Sequence, residues 1–526
     1  MEKGVNVKQK QKRKPEPTTG KYISIIVNIM TIVSIFFIFV GIIAALYAGL
    51  VMKHGTIVEY TFTLWFWLAS VFFGIQSISY FLSFRRSRDK YLETIDNGYV
   101  SGIQGRVAVL VPIYNEDQEM VITNLIAIYS NAKDNADVYV LDDSTKGDSA
   151  YIIELCKRLG MKYIHRENRR GYKAGALNDV LKTLNEPYAC VLDIDQMPSP
   201  DFLRETTAIL DKNPGIGFVQ VPQIYSNSDS SLLAEIAQAQ QFIFYEILTE
   251  GKSVSGTLFS CGTNVVYRVE ALKSVGYFDE SSIVEDIATT VNMAIKGWTG
   301  IYFNKKLVFG RAPVTMQGYV NQQWRWMYGS LTLMPKILKT IMFNKNFSPK
   351  QKLDWFATTT WYTFGWFYLI FLLSPILDIL GIRVLTISNL LYFLAWLPYT
   401  MLVMTTFVLS HVEKKAPLRF VFLNMAANVL IFPLSISATI SALLKKSRPF
   451  TTARTGGKLP WSHFWPQITI MVFLFIASIY MVIQNNVYTD ISAFWGFFQF
   501  MLLVPIFFLN RTPRKSSIDF PVFKDQ

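Results

Sequence analysis

Long uncharged apolar runs frame a central region in which short apolar stretches alternate with amphipathic ones, and the two patterns predict two kinds of structure. Residues 22–52 and 60–84 contain no Asp, Glu, Lys, Arg or His, and each exceeds the roughly 20 residues needed to cross a bilayer. Both read as membrane helices. The first is too long and too apolar for a signal peptide and lacks a small-residue cleavage pattern. The short link at 53–59 makes the two an antiparallel hairpin. Past the central region, residues 355–377, 384–410, 418–444, 466–486 and 491–509 are apolar again. The 418–444 segment stands apart, because basic clusters flank both ends and Arg419, Asn424, Asn428, Pro433 and several serines interrupt it. It reads as a broken helix lying at the membrane interface. That leaves two spanning helices before the central region and four after it.

Between residues 85 and 329 the period changes. Apolar runs at 107–113, 138–141, 188–192 and 216–221 alternate with helical patterns at 119–132, 150–159, 174–184 and 232–248. This alternation predicts an α/β domain with a mostly parallel sheet covered by helices. The resulting plan is a disordered basic tail (1–20), a transmembrane hairpin (21–84), the α/β domain (85–315) and amphipathic interface helices (316–354). Spans three and four (355–411), an interface helix and loop (412–464), spans five and six (465–510) and a tail (511–526) complete it.

Composition agrees with a membrane chain: 51% of residues are hydrophobic and 17% charged. The net charge of +13 does not point to nucleic acid, because Lys and Arg cluster at the ends of apolar segments, at 8–14, 85–90, 414–415, 445–448 and 511–515. Such flanks are retained in the cytoplasm. The positive-inside pattern places the α/β domain there too, with a multi-pass chain in the plasma membrane. Cys156, Cys190 and Cys261 are odd in number and suit a reducing compartment. Neither they nor the four histidines show zinc-ligand spacing.

Candidate chemistry gathers where apolar runs end. Asp193 and Asp195 follow the 188–192 run at i and i+2, at the strand end where open α/β sheets bind ligands. They fit either a solvated turn or a seat for a divalent cation that keeps positions for phosphate oxygens. Other polar groups close neighbouring elements: Tyr114 and Glu116, Asp142 and Asp143, Lys173, Cys261 and Gly262, Glu285 and Asp286, and Gln322, Arg325 and Trp326. Neither a dinucleotide-binding glycine motif nor a P-loop is present. A metal and basic side chains are therefore expected to hold any phosphates.

In order and spacing these motifs resemble the processive, membrane-integrated family 2 glycosyltransferases, the cellulose synthase and hyaluronan synthase group. The resemblance runs over nearly the whole chain and implies a GT-A, Rossmann-like domain inserted between transmembrane helices. It implies that Tyr114, Glu116 and Asp142 hold base and ribose, with Asp193 assisting, and that Asp195, with Asp193, binds Mg²⁺ or Mn²⁺ on the diphosphate. Lys173 and Arg325 would neutralise the leaving group, with Gln322 and Trp326 closing over donor and acceptor. Asp286 would be the general base, and Cys261 and Gly262 would face the acceptor. The implied partners are a nucleotide sugar, with a UDP-sugar expected, a growing β-linked glycan and the bilayer, and no nucleic acid. The alternatives are single-sugar transfer to a lipid carrier and an inactive membrane scaffold.

The chain departs from that group in places. Val284 stands where threonine is usual, and Ile194 and Gln196 differ around the metal motif. The loop after the interface helix matches the group's gating loop in part, through Phe450, with Arg454 or Lys458 replacing the usual lysine. No sizeable regulatory domain is expected after the last helix, and hence no cyclic-nucleotide control.

Overall fold

A computed structural model describes residues 18–51, 55–95, 105–132, 135–145, 149–382, 384, 400, 403–405, 407–448, 457–484 and 487–511. Ten strands build the central domain: β1 (Val107–Ile113), β2 (Ala136–Asp142), β3 (Lys162–His165), β4 (Tyr188–Val191), β5 (Met197–Pro198), β6 (Ile216–Gln220), β7 (Ile224–Tyr225), β8 (Val265–Arg268), β9 (Thr299–Tyr302) and β10 (Val308–Gly310). Seven of them form one sheet in the order β3-β2-β1-β4-β8-β6-β9. All are parallel except β8, which runs antiparallel to both β4 and β6. The sheet is thus mixed, and the reversal brings the loop before β8 to the edge where its neighbours end.

Both faces of the sheet are buried, as the continuous apolar runs of its inner strands require. Val107, Val109 and Val111 face one helical layer with Val140 and Cys190. Ala108 and Leu110 face the other, with Leu141, Ala189 and Tyr267. A small second sheet, β5-β10-β7, lies just past the metal motif. Pro198 therefore belongs to β5, six residues beyond the residue after β4, and does not itself end the longer strand.

The helix expected over 232–248 is α-helical only over Leu232–Ile243 and continues as a π turn, Phe244–Thr249, before Glu250–Ser255. Thr249 Oγ1 donates to the carbonyls of Tyr245 and Phe244 at 2.7 and 3.1 Å, closing the widened turn. Such π insertions redirect side chains.

Thr18–Val51 and Ile57–Ile95 pack as a hairpin. Gly74 permits their close approach, since a Cβ there would lie 2.5 Å from Ile38 Cγ1. Five segments among the described residues are long and apolar enough to cross a membrane: Ser24–Ile43, Ile57–Arg88, Pro349–Ile379, Trp461–Ile483 and Ser492–Leu509. The expected span at 384–410 falls mostly outside the described residues, as do both tails, Phe450 and Arg454.

The 418–444 segment is two helices, Arg419–Leu430 and Phe432–Leu443, bent by 44°. Pro433 sits in the first turn of the second helix, where its missing N–H costs nothing. Arg419–Leu430 packs on Leu232–Ile243 of the α/β domain, joined by an Arg419–Glu235 ion pair of 2.5 Å. Phe432–Leu443 packs on the long Met316–Met342 helix.

Candidate active site

Strand direction collects the candidate residues. β1, β2, β3 and β4 end on one edge of the sheet, and the loop preceding the reversed β8 arrives at the same edge.

After β1, Asn115 takes a left-handed φ of 51°. Its amide donates to Ser144 Oγ at 2.9 Å, and Thr145 N donates back to Asn115 Oδ1 at 2.9 Å, so the β1 and β2 loops are joined. Half-buried Tyr114 lies under the Arg169 guanidinium, 3.8 Å from the ring centroid. Glu116 is half-buried two residues on. Asp142 is buried, and its carboxylate already accepts from Ser144 N, Ser149 Oγ and Tyr163 OH, each at 2.9 Å. These bonds hold its pKa below the ordinary value, against the opposing effect of burial. A ligand reaching Asp142 would have to share those oxygens. Asp143, which sequence alone reads as a cap or turn acid, is instead buried and paired with Arg166 from the end of β3.

Beyond β4 the metal motif is tied down on both sides. Lys173 Nζ donates to Asp193 Oδ1 at 2.6 Å and to Gly262 O at 2.8 Å, linking the Asp193–Asp195 turn to the loop before β8. Burial opposes the lysine's charge, but Asp193, Glu285 and Asp286 prevail and raise its pKa. Asp195 accepts from Gln196 Nε2 at 3.0 Å. Gln196 is 1% exposed, and its Oε1 accepts from Asn264 Nδ2 at 3.1 Å. A Cβ at position 310 would lie 2.6 Å from Gln196 Nε2, so a larger residue there would displace that amide.

The loop before β8 is shaped by its own backbone. Gly262 and Asn264 have φ of 77° and 57°. Gln220, buried at the end of β6, donates to the carbonyls of Val221, Thr263 and Asn264 and accepts from Cys261 N at 2.9 Å. Thr263 Oγ1 accepts from Asp193 N at 2.9 Å. Gly262 touches the candidate base: a Cβ there would come within 2.8 Å of Asp286 Oδ2.

Asp286 sits in the first turn of the Glu285–Ile295 helix, and its Oδ1 accepts from Ile287 N at 2.8 Å. Burial, followed by the charge of Glu285, pushes its carboxyl up to about 7. Burial also raises Glu285, opposed chiefly by the positive charge of Lys173. Glu285 is therefore more than a helix-start acid, since it sits within the electrostatic reach of Lys173, Asp193 and Arg325. Burial, and then the Asp286 charge, raises the Cys261 thiol, which stays protonated.

The Met316–Met342 helix supplies the last group. Thr315 caps it, its Oγ1 accepting from Gly318 N at 3.1 Å. Gln322, Arg325 and Trp326 recur at helical spacing along one half-buried side. Gln323, Trp324, Met327 and Tyr328 are buried on the other side. Gln322 bonds to the Tyr225 phenol, which also feels the charge of Asp195. One turn later Gly329 receives Val284, and a Cβ at 329 would lie 2.4 Å from Val284 Cγ1. Val284 is thus the packing contact that fixes the Glu285–Asp286 pair against this helix.

The structure brings Asp193, Lys173, Cys261, Gly262, Glu285 and Asp286 together, with Gln322 and Asp195 joined through Tyr225. Lys458 is exposed, and Gly457 O accepts from Gln317 N at 3.4 Å near the start of the long helix. Sequence reasoning missed Gln220, Tyr225 and Arg166, and noted Gln196 only as a departure without a role. Gln196 and Gln220 lie next to strand ends, the one signal that marked them.

Residues 189–409 match the family model for glycosyl transferase family group 2. The matched region is a family 2 glycosyltransferase domain. Among curated relatives, the probable glucomannan 4-beta-mannosyltransferase 3 of Oryza sativa subsp. japonica is 34% identical over 259 residues, 46% of this chain and 47% of its own length. Glucomannan 4-beta-mannosyltransferase 2 of Arabidopsis thaliana is 32% identical over 250 residues, 45% of this chain and 47% of its own. The chain spans about half the length of these curated relatives. A mannosyltransferase from Pyrobaculum calidifontis, solved with GDP-Man and Mn²⁺, superposes with a TM-score of 0.52 at 19% identity. That match covers 74% of this chain and all of that one, and it establishes the glycosyltransferase domain as a GT-A fold.

Proposed function

We propose that the chain is an inverting, metal-dependent glycosyltransferase. It polymerises a sugar from a nucleotide-sugar donor into a β-linked polysaccharide and passes the product through its own helices. The observation that carries this reading is the seat of Asp286, a carboxyl at about 7 beside the acceptor-side loop and within the field of Lys173. A general base works best with a pKa near the operating pH. The acceptor hydroxyl oxygen attacks the anomeric carbon as its proton passes to Asp286. The bond to the diphosphate breaks with its electron pair, and the nucleoside diphosphate departs.

The leaving group's charge needs fixed cations. Lys173, already between Asp193 and Gly262, and Arg325 on the long helix supply them. Tyr114, Glu116 and Asp142 line the base and ribose end, and Trp326 offers its ring face to a sugar. The donor set suits a divalent cation shared with phosphate. Among the described residues no cluster of three His, Cys, Asp or Glu side chains would enclose an ion, whereas Asp195, with Asp193 beside it, leaves positions for diphosphate oxygens. Bound there, Mg²⁺ or Mn²⁺ would neutralise the diphosphate as it leaves.

The relatives are named as mannosyltransferases, which supports adding GDP-mannose to the UDP-sugars as a candidate donor. The basic flanks favour the plasma membrane with the catalytic domain in the cytoplasm. Incubating the purified full chain with a panel of UDP- and GDP-sugars and Mg²⁺ or Mn²⁺, then sizing the product, tests the reading. A long glycan upholds it. A single sugar on a lipid carrier, or no turnover with any donor, overturns it.

A further inference from the structure

A cavity of about 460 Å³ lies away from the candidate active site, where the α/β domain meets the membrane helices. That is the size of a small-molecule site, roughly 300–1,000 Å³. Its walls are apolar and come from four parts of the chain: Leu233 of the domain, Tyr319 of the long helix, Leu430 of the bent pair, and Ile506 and Leu509 at the end of the last span. Ser437, Arg448, Ser462 and His463 add polar groups to the lining.

One lining side chain bears on what the cavity could hold. The Arg448 guanidinium lies 3.6 Å from the Trp324 ring centroid and reaches Ser437 Oγ at 3.4 Å. Among the described residues no carboxylate pairs with it. Gln467, 7% exposed, lines the cavity, and its Nε2 donates to Leu430 O at 2.8 Å. Its Oε1 is buried with no partner among the described residues.

The surroundings identify the occupant's chemistry. Lys445, Lys446, Lys458 and Arg511 are exposed and lie close in sequence to the lining residues Arg448, Leu459 and Leu509. Trp461 and Trp465, 48% and 67% exposed, stand at the head of a spanning helix, as aromatic residues do at a membrane–water boundary. An apolar chamber with basic residues at that level matches a lipid tail below an anionic head.

We propose that the cavity binds one anionic phospholipid of the surrounding bilayer. An acyl chain lies among Leu233, Leu430 and Ile506, and the phosphate sits at Arg448 and His463. The occupied cavity braces the first turn of the helix that carries Gln322, Arg325 and Trp326, through Tyr319 and the Arg448–Trp324 stack.

The test uses the full chain in nanodiscs of equal phosphatidylcholine and phosphatidylglycerol, released into mild detergent and read by native mass spectrometry for retained lipid. Wild type should retain one phosphatidylglycerol in preference to phosphatidylcholine by at least about fivefold, the worth of one basic side chain at an anionic surface. Arg448→Ala should abolish the preference, Arg448→Lys should keep it, and Ala427→Phe in the wall should lower retention of both lipids. Three results overturn the proposal: equal retention of both lipids by wild type, a preference untouched by Arg448→Ala, or stronger retention of an added polyprenyl phosphate. No sugar is present, so the outcome is independent of the proposed reaction.

Discussion

Replacing Asp286 by Asn keeps the shape of the side chain and removes the group proposed to accept the proton. Loss of a general base costs roughly 10²- to 10⁴-fold in rate, or about 3 to 5 kcal/mol of barrier. Donor affinity should barely change, because the contacts of Asp286 are its own helix start and Gly262, away from Tyr114 and Asn115. The pH dependence follows from the same seat. With its carboxyl at about 7, Asp286 is mostly protonated at pH 6 and mostly ionised at pH 8. Wild-type kcat/KM should therefore rise about tenfold between those values, where an ordinary carboxylate would give a flat profile. Stability should move the opposite way. A folded-state pKa above the unfolded one means that the folded state binds the extra proton between about pH 4 and 7. Stability from this group is full below that window and falls as pH rises through it. Asp286→Asn should thus raise Tm relative to wild type at pH 8 and not at pH 4. Single-turnover transfer, nucleotide diphosphate titration and thermal scans at both pH values read all three effects. Near-normal turnover in the Asn variant would falsify the base assignment.

Asp195→Asn should weaken nucleotide diphosphate binding in Mn²⁺ and leave the residual binding in chelator unchanged; equal loss in both would separate Asp195 from the metal. Gln196→Ala, which frees the Asp195 carboxylate from its amide, should weaken that metal-dependent binding by roughly three- to tenfold, as measured by calorimetry. Gly329→Val drives a side chain into Val284, already 2.4 Å from a bare Cβ, and should lower kcat by about 100-fold by displacing Asp286. Val284→Ala in the same chain should recover much of that loss, and failure to recover would place the damage elsewhere. Cysteines at 415 and 446, on either side of the bent helix pair, should both resist a membrane-impermeant thiol reagent in sealed cells and both react after lysis; labelling of one alone from outside would mean that the segment crosses the bilayer.

Much of the architecture is legible in the chain because burial on both faces writes itself as unbroken apolar runs, as at β1 and β4. Shorter edge strands do not announce themselves: β3 is Lys-Tyr-Ile-His, half exposed, and β9 begins Thr-Gly. Strand direction is not encoded in hydropathy at all, which is why the reversal of β8 was beyond reach. The motifs at strand ends stand out because polar residues punctuate apolar runs. Their supports do not, since Gln220 bonds residues more than forty positions away and Gln196 meets Asn264 across 68. Asp143 looks like a turn acid until the fold brings Arg166 to it.

The reversed strand also separates two tasks within the domain. Parallel strands β1, β2 and β4 lead out into the proposed donor end, whereas the chain from Gly256 to Asn264 enters from that same edge before turning into β8. Changes of length or composition in this incoming stretch would move the proposed acceptor wall while the outgoing strands stay in register. A scaffold of this kind lets acceptor preference diverge among descendants that keep one nucleotide sugar, and an engineer wanting a new linkage on the same donor would begin between Thr257 and Cys261.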